Sequence, residues 1–338
     1  MRPMWQSLDA SASGLGESPF WHPHERSLYW VDIPGRAVLR TRGEIGPQVQ
    51  VERWTLPSEP GCIAPARRGG LVLALRDGIY RAREWGGELQ LLAGAPHDVR
   101  TVRFNDGKCD PQGRFWAGSI NEAKDAASAA LYCLDARPGA ATATAIATAT
   151  VPATATATVA ATATATATAS PGLVRMLGGV TTANGLAFAP DAGRMYWADT
   201  PTHTVRVWDW RAADNQLGAA PRDFAHFAPK PPDRQPGKPY GGRPDGATLD
   251  ALGRYWCALY EGAQLACLAP DGRQVEVLPV PAQCPTMPCF GGDDLRTLFV
   301  TTAARGRPAD ELGRLPLSGR VLFTRADVPG RPVDFFED

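Results

Sequence analysis

The sequence predicts an all-β fold, a six-bladed β-propeller, and three observations carry that prediction. One pattern recurs six times along the 338 residues: a polar turn with Asp or Gly runs into a short segment of aromatic and aliphatic residues. Turn chemistry followed by a β-prone run is a hairpin signal. The markers of these segments recur at a period near 43 residues, the length of one four-stranded blade. Between them no stretch of about 10 to 15 residues shows helical periodicity, which disfavours a parallel α/β sheet.

In chain order the repeats are HPHERSLYWVDI (22–33), PARRGGLVLAL (65–75), DPQGRFWAGSI (110–120), APDAGRMYWADT (189–200), DALGRYWCALY (250–260) and GGDDLRTLFVTTA (291–303). The second and sixth are weaker, with Leu73 and Phe299 where the others carry Trp. Trp30, Leu73 and Trp116 follow one another at 43 residues, as do Trp256 and Phe299. The intervals from Trp116 to Trp197 and from Trp197 to Trp256 are 81 and 59 residues. Each holds a segment of foreign composition: an Ala/Thr tract (140–170) and a Pro/Gly-rich loop (221–243). Removing roughly 30 and roughly 15 residues restores the period. Residues 1–338 therefore read as a single propeller domain with two insertions. The Ala/Thr tract alternates with period two but has no distinctive side chain to set a register, so it reads as a surface extension between two strands of one blade.

Composition narrows the function. With 35 basic and 35 acidic side chains, the chain lacks the positive field of a nucleic-acid binder. No apolar run approaches the ~20 residues of a membrane span, and residues 1–18 have neither the basic start nor the apolar stretch of a secretory signal. Seven cysteines without a CxxC pair fit reduced thiols in a cytoplasm better than a disulfide framework. There is no Gly-x-Ser-x-Gly elbow, P-loop or dinucleotide fingerprint. His22 and His24 flank Pro23 in a polar turn and have no further ligand nearby, so they read as turn residues. His203 is placed near a blade end. Cys284 and Cys289 read as small buried thiols.

Inner strands of a propeller line its channel, so residues at one register meet near the axis. Glu17 and Asn184 stand 13 residues before Trp30 and Trp197, and Asn105 and Asp245 stand 11 before Trp116 and Trp256. The weak repeats offer Cys62 and Cys289 near this register. Glu17, Asn184 and Asp245 together present two carboxylates and an amide oxygen, the donor set that hard divalent cations prefer. Three protein ligands leave positions open for water and substrate. Gly16, Gly185 and Gly246 adjoin the three and are expected to let the backbone turn sharply there. Taken singly, the NDG, ANG and PDG sequences are also ordinary turn formers.

Several ordered motifs then resemble the senescence-marker-protein-30/gluconolactonase/regucalcin family: LGESPFW (15–21), RFNDGKCDPQGRFWAG (103–118), NGLAF (184–188), RPDGATLDALGRYW (243–256) and CFGGDDLRTLFVTTA (289–303). The resemblance covers nearly the whole chain outside the insertions. It implies a six-bladed propeller holding one divalent cation (Ca, Zn, Mn, Mg or Fe(II)) and a metal-dependent hydrolase that opens sugar lactones to aldonic acids. It further implies Glu17, Asn184 and Asp245 as ligands, with the cation polarising the carbonyl and Asp245 as general base. Arg103 and Asn105 are implied to hold the substrate, and Glu122 to be a further substrate contact. Two alternatives stand beside this: a non-catalytic regulatory propeller using the same cation, and a hydrolase of a non-sugar lactone or ester. Arg103 and Asn105 beside the ligands favour an enzyme acting on a small-molecule substrate. The loop KPYGGRPDG (238–246) is expected to form part of the wall that sets specificity.

Overall fold

The computed structural model describes residues 4–138, 149–150, 172–231 and 240–338. Among the described residues six sheets follow one another along the chain, each built mainly from consecutive antiparallel strands. The first blade comprises Gly16–His22, Ser27–Asp32, Ala37–Arg42 and Gln50–Thr55. All six sequence markers fall in the second strand of a blade: Ser27–Asp32, Leu71–Leu75, Phe115–Asn121, Arg194–Asp199, Tyr255–Tyr260 and Thr297–Thr302. The repeat is thus a hairpin between the first and second strands of each blade. Among the described residues, the helices are a short turn at Thr200–Thr202 and a six-residue helix at Ala309–Arg314. No helix there is long and apolar enough to cross a membrane.

The core lies between blades rather than within one. Among the described residues six buried apolar clusters form, each shared by two consecutive blades. The last joins Trp21 and Trp30 of the first blade to Phe299 and Phe323 of the sixth, so apolar burial itself closes the ring. The chain adds a second closure: Gln6–Ser7 pairs antiparallel with Leu322–Arg325 as the outermost strand of the sixth blade.

The insertions sort as follows. The Ala/Thr tract lies outside the described residues except Ala149–Thr150, which pair parallel with Leu173–Val180. Its flanks, Ala129–Leu134 and Leu173–Val180, are adjacent strands of the third blade. The 221–243 segment is only partly an insertion: Arg222–His226 is itself the outer strand of the fourth blade, and residues 232–239 lie outside the description. Composition there reads as loop because the strand is edge-exposed and polar.

The recurrent D-x-x-G-R-x-W turn has a physical cause. Asp110 is fully buried; Oδ1 accepts the Gln112 and Arg114 backbone N–H groups, and Oδ2 accepts Arg114 Nε at 2.6 Å and Trp116 Nε1 at 2.8 Å. Asp250 repeats every bond with Leu252, Arg254 and Trp256. Asp110→Ala leaves a guanidinium and an indole N–H buried without their acceptor, and is expected to cost about 3–5 kcal/mol in urea unfolding. Asp250→Ala should cost less, because Arg254 is 22 % exposed against 1 % for Arg114.

Candidate active site

All six inner strands carry a register break against their neighbours, at Glu17/Phe20, Pro60/Cys62, Phe104/Gly107, Asn184/Ala187, Pro244/Ala247 and Pro285/Met287. A bulge re-aims side chains and sharpens the local twist. Here it does so six times, around one end of the channel. Glu17 and Asn184 share one position, the last paired residue before the bulge; Asn105 and Asp245 share the next, its first residue. The unequal offsets of 13 and 11 arise because Trp30 and Trp197 stand opposite the bulge, whereas Trp116 and Trp256 pair with Lys108 and Thr248 nearer the turn.

Two expectations need correction. Cys62 and Cys289 do not join this ring: Gly61 and Thr286 occupy the breaks in the second and sixth blades. Cys289 lies farther along its strand, where Lys108, Cys109 and Asp334 also line a cavity of about 100 Å³. Nor do all three flanking glycines serve a sharp turn. Only Gly185 has a left-handed φ, +64°; Gly246 instead permits close strand packing, since a Cβ there would stand 2.5 Å from Met287. The left-handed residue beside Glu17 is Ser18 (φ 49°), at the same bulge position as Gly185. Its hydroxyl accepts the Ile63 N–H at 3.0 Å, which ties the first blade to the second.

Glu17, Arg103, Asn105, Asn184 and Asp245 are all more than nine-tenths buried. Asn105 and Asn184 meet directly: Asn105 Nδ2 donates to Asn184 Oδ1 at 2.8 Å and to the Ala183 carbonyl at 3.0 Å. Arg103 donates to Asn105 Oδ1 at 3.0 Å. On the other side Asn184 Nδ2 donates to Thr200 Oγ1 at 2.7 Å, and that hydroxyl donates to the Pro244 carbonyl, one residue before Asp245, at 2.8 Å. One polar chain therefore runs from the third blade through the fourth to the fifth.

The carboxylates resist ionisation. Burial lifts Glu17 well above the usual carboxylate range, and the charges of Asp245 and Asp106 add to it. Burial pushes Asp245 up to about 8, Asp106 adding again and Arg243 and Lys124 opposing. Asp106 is the residue that sequence reasoning missed. It follows Asn105 in the NDG turn, is itself raised by burial, and accepts the Leu186 N–H at 2.9 Å through Oδ2. Its Oδ1 has no hydrogen-bond partner among the described residues. The turn reading of NDG hid it.

Outside this centre the wall is built of ion pairs. Glu122, 40 % exposed at its side chain, is held by Arg76 at 2.9 Å and stands 3.5 Å from Arg103, so it anchors that guanidinium. Buried Glu261 collects Lys230, Arg243 and Arg307 within 3.2 Å. His203 is buried, 3.4 Å from the Tyr240 hydroxyl, and lowered by burial and by Arg243. His22 sits in its hairpin turn, its Nδ1 accepting the Glu25 N–H at 3.1 Å. All seven cysteines are free and buried.

Among the described residues no three His, Cys, Asp or Glu side chains gather into a metal-holding group; the candidate set relies on an amide oxygen as its third member. The donor chemistry fits a hard cation all the same. Buried carboxylates that repel one another, beside an amide oxygen and an unsatisfied carboxylate oxygen, are stabilised by a positive charge among them.

Comparison with known proteins agrees with this architecture. Residues 15–304 match the model of the SMP-30/gluconolactonase/LRE-like region. The chain is 36 % identical over 320 residues to a 6-deoxy-6-sulfogluconolactonase of Pseudomonas putida, covering 94 % of this chain and 93 % of the relative. It is 28 % identical over 323 residues to regucalcin of Danio rerio, covering 94 % and 93 %. In fold it resembles a calcium-binding regucalcin of Agrobacterium tumefaciens, with a TM-score of 0.80, 20 % identity, and 100 % and 99 % coverage of the two chains. It also resembles a gluconolactonase of Xanthomonas campestris, with a TM-score of 0.64, 21 % identity, and 96 % and 89 % coverage.

Proposed function

The chain belongs to the SMP-30/gluconolactonase/LRE-like family, and from that premise we propose that it hydrolyses a sugar lactone to the aldonic acid, with Asp245 as general base. What supports the reading above all is one observation: a buried polar chain links Arg103, Asn105, Asn184 and Thr200 to the Pro244 carbonyl, one residue before Asp245. A relative that shares almost the full length is named as a 6-deoxy-6-sulfogluconolactonase.

Glu17, Asn184 and Asp245 would hold one divalent cation, for which oxygen donors admit Ca, Mg, Mn, Fe(II) or Zn. Bound there, it supplies Lewis-acid polarisation of an ester carbonyl. The chain's own residues do the rest. A neighbouring positive charge favours the ionised form of Asp245 over the protonated one. The carboxylate then accepts a proton from the attacking water, a contribution of about 10²–10⁴-fold in rate. Arg103, fixed by Glu122 and by Asn105, presents donors that cannot be deprotonated, suited to a hydroxyl or to the carboxylate of the product. Asn105, donor and acceptor at once, suits a sugar hydroxyl. Free thiols throughout keep a reducing cytoplasm as part of the proposal.

The test is a pH-stat panel: gluconolactone, its 6-sulfo derivative, arabinonolactone, xylonolactone and a non-sugar ester, run alongside elemental analysis of bound metal. We expect at least one sugar lactone to exceed the simple ester by about tenfold or more in kcat/KM. Silence toward every lactone with metal still bound would favour a binding propeller instead.

A further inference from the structure

We infer that Thr200 is a positioning residue that decides which end of the Asn184 carboxamide faces the cation. The inference rests on the proposed cation site and concerns a side chain outside it. A carboxamide presents an oxygen at one end and an NH₂ at the other, nearly identical in shape. A hard cation takes only the oxygen. A flipped Asn184 would therefore aim two partly positive hydrogens at the site.

The hydrogen bonds of Thr200 remove that freedom. Its Oγ1 lies 2.8 Å from the carbonyl oxygen of Pro244. A carbonyl has no proton to give, so the bond uses the one hydrogen of the hydroxyl. Toward Asn184, 2.7 Å away, the hydroxyl can then only accept. The NH₂ of Asn184 must point to Thr200, and Oδ1 must point to the other side. There Asn105 Nδ2 donates to it at 2.8 Å, and Asn105 is itself oriented by the Ala183 carbonyl and by Arg103, which has no acceptor to offer. Each amide is constrained from both ends. An amide oxygen has two lone pairs, so one serves Asn105 and the other is left for the cation.

Thr200 is well placed for the task. It is buried, it opens the Thr200–Thr202 turn, and its N–H is held by the Thr182 carbonyl at 3.1 Å. Its hydroxyl also spans the two blades that carry Asn184 and Asp245, through the residue just before Asp245.

Thr200→Val keeps the shape and removes the hydroxyl; Thr200→Ser keeps the hydroxyl. Calorimetric titration of the metal-free proteins with Ca²⁺ and with Mn²⁺ should show Thr200→Val binding about 10–100-fold more weakly, the range for loss of a residue that orients a ligand. Thr200→Ser should stay within about threefold of wild type, since the acceptor remains. Thr200→Ala carries the same expectation as Val and substitutes for it if the valine is not accommodated. The decisive arm places Thr200→Val in an Asn184→Asp background. A carboxylate has oxygen at both ends and needs no orienting, so the valine should weaken binding there by less than about threefold. An equal loss in both backgrounds, or a serine variant as weak as the valine, would overturn the role. So would a fall in melting temperature with metal affinity unchanged. A wild-type chain that binds neither ion would instead overturn the cation reading and this role with it.

Discussion

Asp245→Asn is expected to remove lactone turnover, lowering kcat by about 10³-fold or more, while the propeller stays folded. The magnitude combines the loss of a general base, about 10²–10⁴-fold, with the loss of one anionic oxygen from the proposed cation site. The isosteric amide keeps the bulge and the packing of the fifth blade, because Gly246 beside it, not the carboxylate, permits the approach to Met287. The pH dependence separates lost chemistry from a damaged fold. In the metal-free chain Asp245 sits at about 8, against about 4 in an unfolded chain. The folded state therefore binds that proton more tightly. Its stabilising contribution is complete below about pH 4 and is lost as pH rises toward about 8. Asparagine does not titrate, so the metal-free variant should be at least as stable as metal-free wild type above neutral pH. Thermal melts across that range, with chelator present, check it. A variant that hydrolyses lactone at near wild-type rate would remove Asp245 from the chemistry, and one that melts far lower at pH 8 would place it in the fold instead.

The ring of blades was legible because it is written in a long-range period. Trp30, Leu73, Trp116, Trp197, Trp256 and Phe299 all land in second strands, since each blade must present one apolar strand to clusters on both sides. Leu73 and Phe299 show that the position demands bulk and β propensity rather than indole. The closing strand Gln6–Ser7 was not legible. It is two residues long, and its partner Leu322–Arg325 lies at the opposite end of the chain.

The site was legible only in part, for a related reason. Offsets from an aromatic marker put Glu17, Asn105, Asn184 and Asp245 at the bulges of their inner strands, because turn lengths vary little between blades. They bring Cys62 and Cys289 only near the breaks, one residue past Gly61 and three past Thr286, because the second and sixth blades break register by a different count. Asp106 and Thr200 escaped altogether. Asp106 stood in a turn-forming tripeptide, and Thr200 opens the turn that follows a strand, joined to Asn184 only by a hydrogen bond between side chains. No spacing rule encodes which hydroxyl proton is already in use.

Glu17→Gln should have the complementary signature to Asp245→Asn: a large loss of cation affinity with the chemistry retained once the cation is supplied. Oxygen-donor sites tune affinity chiefly through the number of anionic ligands, and the proposed site has two, Glu17 and Asp245. Removing one charge from a centre more than nine-tenths buried, where solvent screens poorly, should weaken Ca²⁺ or Mn²⁺ binding by about 100-fold or more. Glu17 takes no proton from water in the proposed mechanism, so kcat at saturating metal should stay within about tenfold of wild type. The fold should tolerate the change: an uncharged amide does not carry the burial cost and the Asp245 repulsion that lift Glu17, and the neighbouring Ser18–Ile63 bond does not involve its side chain. Calorimetry on the metal-free protein, paired with activity measured against metal concentration, separates the two effects. Unchanged affinity would take Glu17 out of the site, whereas a kcat that stays low at any metal concentration would assign it a part in the chemistry that the present geometry does not.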